Sequence, residues 1–369
     1  LRFVAAVKND FQIVIRLPMI HLSICIPTFN RHEPLKQLNE RFLRKVLELF
    51  PDDVEVLICD DSKFAIAQAN QLVLNKKIRY QHNPVRTGFA RSLEWCFEQA
   101  EGKFVWLLSD DDPIFWDGFC QLLALIKLDK ADCYIVPIKW VTFFNETRVD
   151  HFNKFSTRKS FSVDQMFLDD PGFLPFILLS AGVVRLDKSV LKLASSKLEG
   201  NLFMHIAMYL DMLTPASRVV VADQPVVNYQ LTRKHAYTVE TLFEMRLAVL
   251  NYLTPQFTSL QTVMPEQIDA ALQHSLQLMV ENDVGIVQME LLPQSQKKMR
   301  NYYWKYRQKP NYLAMVVLIL PPLFSRIWYY VVNAMDYVRV YGSGASVLRK
   351  CQLALASYKK LKTFAIFKK

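Results

Sequence analysis

The chain has 369 residues, 51% hydrophobic and 22% charged, a globular composition that excludes an intrinsically disordered chain. Its length exceeds one average domain, so a principal domain with a smaller attachment is expected. The net charge of +10 is concentrated: Lys297 to Lys369 carries 15 basic residues against one acid, Asp336, and the rest of the chain is mildly acidic. With no recognisable module beside that charge, nucleic acid is not an expected partner.

Only nine glycines occur. Neither GxGxxG nor GxxxxGK[ST] is present, which excludes a glycine-rich phosphate loop. Cys25, Cys59, Cys96, Cys120, Cys133 and Cys351 are scattered without CxxC or Cys/His spacing and read as reduced core residues. Residues 1–18 mix charges among apolar positions without a secretory pattern, and Met19 directly precedes the first strong strand. A non-native or poorly ordered leader is expected there.

His21–Ile26 is a short apolar run that predicts a buried strand, stopped by Pro27-Thr28-Phe29-Asn30. A helix is predicted over 34–49, a strand over Glu55–Cys59 closing on Asp60-Asp61-Ser62, a helix over 64–75 and a strand over Ile78–Gln81. A helix over 88–100 leads to a strand at Lys103–Leu108, which closes on Ser109-Asp110-Asp111-Asp112. Strands alternating with helices imply βαβ units and a mainly parallel sheet flanked by helices. Both acidic clusters then fall past the carboxyl ends of strands, where ligands bind in open α/β sheets.

Further on, the pattern gives a helix at 115–128, a strand at 133–137, irregular polar sequence to about Lys159 and an apolar segment over 173–184. A helix at 201–212, a strand at 219–222 and a helical region over 265–309 follow.

Three consecutive carboxylates repel one another, and a divalent cation is the natural offset. Oxygen ligands select Mg²⁺ or Mn²⁺, which bind through one or two carboxylates plus substrate phosphates. A solvated turn with helix-capping Asp is the plain alternative. Asp60-Asp61 could likewise accept a hydrogen bond from a base or ribose, or be an Asp turn.

Taken together, Ser23 to Arg31, Val56 to Ser62, Asn83 with Gly88 and Arg91, and Glu101-Gly102-Lys103 leading to Asp112 resemble family 2 glycosyltransferases with the GT-A fold, over roughly residues 21–120. The resemblance implies a nucleotide-binding half over 21–120 and an acceptor half over 121–255 of a catalytic domain spanning 19–255. It implies that Pro27 and Thr28 line the nucleoside pocket, that Asp60 reads the base, and that Asn30 and Asp61 also belong to the nucleotide-sugar site. It also sets Arg91 against the diphosphate, Asp110 and Asp111 near ribose and metal, and Asp112 with Asp110 as ligands of Mn²⁺ or Mg²⁺. Where many members read Leu-Asp-x-Asp-Asp, this chain has Leu108-Ser109-Asp110-Asp111-Asp112.

Such enzymes invert the anomeric centre with a general base that lies after the metal motif. The matching stretch, Glu199 to His205, lacks the common Glu-Asp pair; Glu199 is the first candidate base and His205 the second, with Asp169 and Asp170 more remote, while His235 could reach a metal or phosphate or sit in a solvated loop.

After a helical extension over 256–310, Tyr312–Val332 approaches the length of a membrane span, but Pro321-Pro322 breaks it and Arg326 charges it. A basic, apolar tail over 311–369 is expected to lie on an anionic membrane surface, with a helical hairpin packed on the catalytic domain as the alternative.

The expectation is an inverting, metal-dependent transferase that uses a nucleotide-sugar donor and a lipid-linked or glycan acceptor. By resemblance it would serve bacterial surface polysaccharide synthesis (O-antigen or capsule) at the cytoplasmic face of the inner membrane. The alternatives are a catalytically inactive membrane-peripheral scaffold, or a nucleotidyltransferase of related fold, which would carry a basic glycine-rich loop where Pro27-Thr28-Phe29-Asn30 stands.

Overall fold

The structure, a computed structural model, describes residues 3–6, 13–16, 19–141, 147–150, 160–169, 176, 178–190, 197–230, 239–258, 300–302 and 304–305. The chain divides into two compact units, residues 1–234 with 245–271, and residues 235–244 with 272–369.

Within the first unit, β1 (Phe3–Ala6) and β2 (Ile13–Arg16) form an antiparallel pair. The central sheet begins with β3 (Leu22–Thr28) and β4 (Val54–Asp60), joined by α1 (His32–Leu38), a π turn (Asn39–Leu43) and α2 (Arg44–Leu49). Then follow α3 (Phe64–Val73), β5 (Arg79–His82), α4 (Phe89–Gln99) and β6 (Phe104–Leu107). Strands β3, β4, β5 and β6 pair in parallel, in the order β6-β3-β4-β5. Every residue of β4 is buried, as expected of a parallel strand covered on both faces.

The strand predicted to stop before Pro27 runs on to Thr28. The Cys25 carbonyl accepts from the Leu108 N–H (2.9 Å), so main-chain groups at this parity face β6. Pro27 is the next such position and lies past the β6 ladder, whose last partner is Leu107. Its missing N–H therefore leaves no ladder bond unmade.

The second half of the sheet is mixed where the first is parallel. After α5 (Trp116–Leu128) come β7 (Cys133–Ile135), β8 (Ile138–Val141), β9 (Thr147–Asp150), β10 (Ser160–Ser162) and α6 (Val163–Asp169). A 3₁₀ turn (Leu179–Ala181), β11 (Gly182–Arg185), α7 (Met204–Asp211), β12 (Arg218–Val221), β13 (Val227–Gln230) and α8 (Val239–Thr258) follow. The eight-stranded order is β10-β12-β7-β11-β6-β3-β4-β5, with β11 antiparallel to both β6 and β7, β12 parallel to β7 and β10 antiparallel to β12. A smaller sheet orders β13-β8-β9. The stretch read from sequence as irregular to about Lys159 thus holds β8 and β9, whose pairing partners are one another and the distant β13.

Phe42, Trp106 and Phe119 pack together in the core. At the amino ends of the strands Glu55, in an otherwise apolar run, accepts from Ser23 Oγ (2.5 Å), Arg79 Nη1 (2.9 Å) and the Gly102 N–H (3.1 Å). One buried carboxylate thereby ties β3, β4, β5 and the turn before β6, its charge matched by Arg79. Cys25, Cys59, Cys96 and Cys133 are free and buried and Cys120 is free and half-buried, while Cys351 lies outside the described residues.

In the second unit Phe243 packs on Tyr302 (ring centroids 4.6 Å apart) and the Tyr302 hydroxyl donates to Glu244 Oε1 (2.8 Å). The tail over 311–369, and nearly all of the predicted helical region over 265–309, lie outside the described residues.

Candidate active site

The carboxyl ends of β3, β4 and β6 bring together three loops that each carry acids or their partners. Asn30, just past β3, has φ 55, a left-handed conformation that Asn tolerates better than most residues. Its N–H donates to Ser62 Oγ (2.6 Å) and its Oδ1 accepts from the Lys63 N–H (3.0 Å). The loop after β3 is thereby latched to the loop after β4, and Arg31 is directed at the loop after β6.

There, Thr28 Oγ1 donates to Asp110 Oδ2 (2.6 Å) and Arg31 Nη1 pairs with Asp110 Oδ1 (3.0 Å). Arg31 Nη2 reaches Asp111 Oδ2, and Ser109 Oγ donates to Asp111 Oδ1 (2.6 Å). Ser180, in the 3₁₀ turn before β11, donates from Oγ to Asp112 Oδ2 (2.6 Å). Asp112 Oδ1 has no protein donor among the described residues.

Asp110 and Asp112 are 1% and 6% exposed. Burial pushes Asp110 up to about 6, with Asp111 adding to the rise and Arg31 and Thr28 opposing it. Burial pushes Asp112 up to about 7, helped by Asp111 and Asp110 and opposed by the Ser180 hydroxyl. Burial would lower the Arg31 guanidinium, but Asp110 and Asp111 more than offset it and raise it. One guanidinium therefore faces three acids, and the site is short of positive charge. Tyr229 on β13 stands close enough that, after burial, the charges of Asp112 and Asp111 help raise its hydroxyl.

Asp60 is fully buried and takes donors from the Ser62 N–H (2.8 Å), Asn70 Nδ2 (2.7 Å) and the Tyr80 hydroxyl (2.7 Å). Asp61 gathers the chain after β5: Oδ1 accepts from Asn83 Nδ2 (2.8 Å) and Thr87 Oγ1 (2.9 Å), and Oδ2 from the Gly88 N–H (2.6 Å). Gly88 has φ 91 and caps α4. The geometry makes Asp60 and Asp61 anchors of the loops around the carboxyl end of β4. Arg86 lies over the Phe29 ring, 4.3 Å from the centroid.

Arg91 is exposed on α4 and pairs with Glu94 (2.7 Å). Glu94 raises its guanidinium and Glu199 adds to the effect, so Glu199 lies within electrostatic reach of Arg91. Glu199 is exposed, beside Gly200 at φ 77. No hydrogen bond or ion pair joins Glu199 to the acidic triplet among the described residues. His205 is in the core: Nε2 faces the Phe176 carbonyl (2.8 Å), Nδ1 faces the Leu202 carbonyl (3.1 Å), and neither is open to a substrate. Burial lowers it to about 4 against the pull of both carbonyls. The helix around it is apolar on all sides, so its one histidine is carried inside. His235 and Asp170 lie outside the described residues.

Sequence reasoning assigned no role to Ser180, Asn70, Tyr80 or Tyr229. Arg31 and Asn83 stood within matched motifs without an assigned partner, and their spacing from the acids was the available signal.

A parallel half-sheet whose strand ends carry acidic loops, continued by a mixed half, is the GT-A architecture. Residues 23–174 match the model of Glycosyl transferase family 2. Abequosyltransferase RfbV of Salmonella typhimurium is 29% identical over 122 residues, covering 32% of this chain and 36% of that protein; the match thus spans about a third of each. Among solved structures, S. aureus TarS 1-349 aligns at 17% identity and TM-score 0.44, covering 79% of this chain and 93% of that one. The same protein in complex with UDP-GlcNAc aligns at 19% identity and TM-score 0.45, covering 77% and 89%.

Proposed function

We propose that the chain is an inverting, metal-dependent glycosyltransferase that moves a sugar from a nucleotide-sugar donor to a glycan or lipid-linked acceptor in bacterial surface polysaccharide synthesis. One observation carries the reading: in a triplet whose other five carboxylate oxygens are held by Thr28, Arg31, Ser109 and Ser180, Asp112 keeps Oδ1 without a protein donor among the described residues. The family 2 match and a relative that is an abequosyltransferase support sugar transfer.

Mg²⁺ or Mn²⁺ fits the residues present. The oxygens are hard donors, negative charge exceeds the one guanidinium, and burial makes each ionised carboxylate seek a cation. No group of three or more metal-binding side chains occurs among the described residues, and a cation bound partly by substrate phosphate needs none. Asp112 and Asp110 would hold it. When bound, it would stabilise charge on the departing diphosphate.

The chain's own residues do the rest. Pro27, Thr28 and Asn30 shape the floor of the nucleoside pocket, Asp60 and Asp61 hold its wall, and Arg91 offers positive charge at the mouth. Glu199 is the proposed base, because it is exposed while His205 is in the core with both ring nitrogens facing backbone carbonyls. An acceptor hydroxyl gives its proton to Glu199 as its oxygen attacks the anomeric carbon, opposite the bond to the diphosphate, which breaks with inversion.

The membrane placement rests on the basic, apolar tail; among the described residues no helix is long and apolar enough to cross a membrane. The working location is the cytoplasmic face of the inner membrane.

Hydrolysis of UDP-, GDP- and dTDP-sugars with Mn²⁺, compared between wild type and Asp112→Asn, tests the reading. Loss of several kcal/mol of charge stabilisation corresponds to a drop of about 100-fold or more. Equal turnover would remove Asp112 from the mechanism, and failure of the wild type to bind or cleave any donor would favour the inactive scaffold.

A further inference from the structure

The hydroxyl of Ser180 has its proton placed by its surroundings. Ser180 is fully buried. Its Oγ is 2.9 Å from the Ser109 N–H, which can only donate, so Oγ is the acceptor in that bond. Its own hydrogen then has one recorded acceptor, Asp112 Oδ2, at 2.6 Å. The main chain is held as well, because Trp106 Nε1 donates to the Ser180 carbonyl (2.9 Å).

The result is a rigid relay: Trp106 fixes the turn, the Ser109 N–H fixes the hydroxyl, and the hydroxyl fixes one oxygen of Asp112. The other oxygen, Oδ1, remains without a protein donor among the described residues. A carboxylate pinned at one oxygen and open at the other is prepared to bind a cation without first losing rotational freedom.

We infer that Ser180 is a positioning residue that orients Asp112 Oδ1 toward the cation accompanying the nucleoside diphosphate. The inference rests on the metal-dependent reading above. It also means that the turn before the antiparallel strand β11, 68 residues along the chain from Asp112, completes the metal-binding end of the parallel half.

The test is Mn²⁺ binding by the full chain, followed by electron paramagnetic resonance with UDP, GDP or dTDP present, beside binding of the same nucleotide without metal. Ser180→Ala is expected to weaken Mn²⁺ binding about 10- to 100-fold while metal-free nucleotide affinity changes less than about twofold. Ser180→Cys keeps the volume and replaces the hydroxyl with a poor donor, so it carries the same prediction should the alanine variant not fold. Mn²⁺ affinity within twofold of wild type, or an equal loss of metal-free nucleotide affinity, would overturn the assignment. If the wild type itself binds no Mn²⁺ with any of the three nucleotides, the metal-dependent reading falls, and the Ser180 inference with it.

Discussion

Arg31 shows how three adjacent aspartates can share a strand end. Its guanidinium spans Asp110 and Asp111 and leaves Asp112 to Ser180. The acids were legible in the sequence because a run of like charges after an apolar strand is conspicuous. The division of roles among them was not, because it depends on Thr28, Arg31 and Ser180, which lie 82, 80 and 68 residues away from the acids they bind. His205 is the opposite case. Its position near the end of a motif suggested chemistry, yet the fold carries it into the core and lowers it to about 4. The sign of the consequence follows from linkage. The unfolded chain protonates His205 near its ordinary value of about 6.5, so between there and 4 the unfolded state binds more protons and stability falls as pH falls. The full effect is on the order of 3 kcal/mol. Urea melts from pH 7.5 to 4.5 should show His205→Gln losing less stability on acidification than wild type. Parallel pH profiles would show that the imidazole is not buried neutral.

At the level of elements, the strand–helix alternation over 21–108 was readable because parallel strands buried on both faces are continuous apolar runs, and the helices between them, such as α4, bury one face. Elements beyond Pro113 were harder to read. Strands β8, β9 and β13 are four residues each; β9 pairs locally with β8, but β8 is joined to β13 across 89 residues. The loop after Asp112 is set by the same distant strand: the Phe115 N–H donates to the Val226 carbonyl and the Asn228 N–H to the Pro113 carbonyl, both at 2.8 Å. Gly118 makes this approach possible, since a Cβ there would stand 2.1 Å from the Pro225 carbonyl oxygen. Gly118→Ala is therefore expected to lower stability by about 1–3 kcal/mol, as over-packing against backbone does. Equilibrium urea unfolding checks it, and an unchanged midpoint would show that the segment around Pro225 yields freely.

Across the whole molecule, the charge asymmetry separates an acidic catalytic part from a basic tail, a feature of the sequence alone. If the tail anchors the protein, removal of residues 311–369 moves it from the membrane to the soluble fraction on lysate fractionation, and identical fractionation of both forms would exclude an anchoring role. The sequence by itself determined the fold class of the first half, the two acidic strand ends and the place of the positive charge, because periodicity, strand termination and composition are local properties. Only the tertiary structure decided that Asp60 and Asp61 tie the neighbouring loops together, that His205 is structural in its bonding, and that Ser180 reaches Asp112. Burial and hydrogen-bond partnership are relations between distant segments, and no local pattern encodes them.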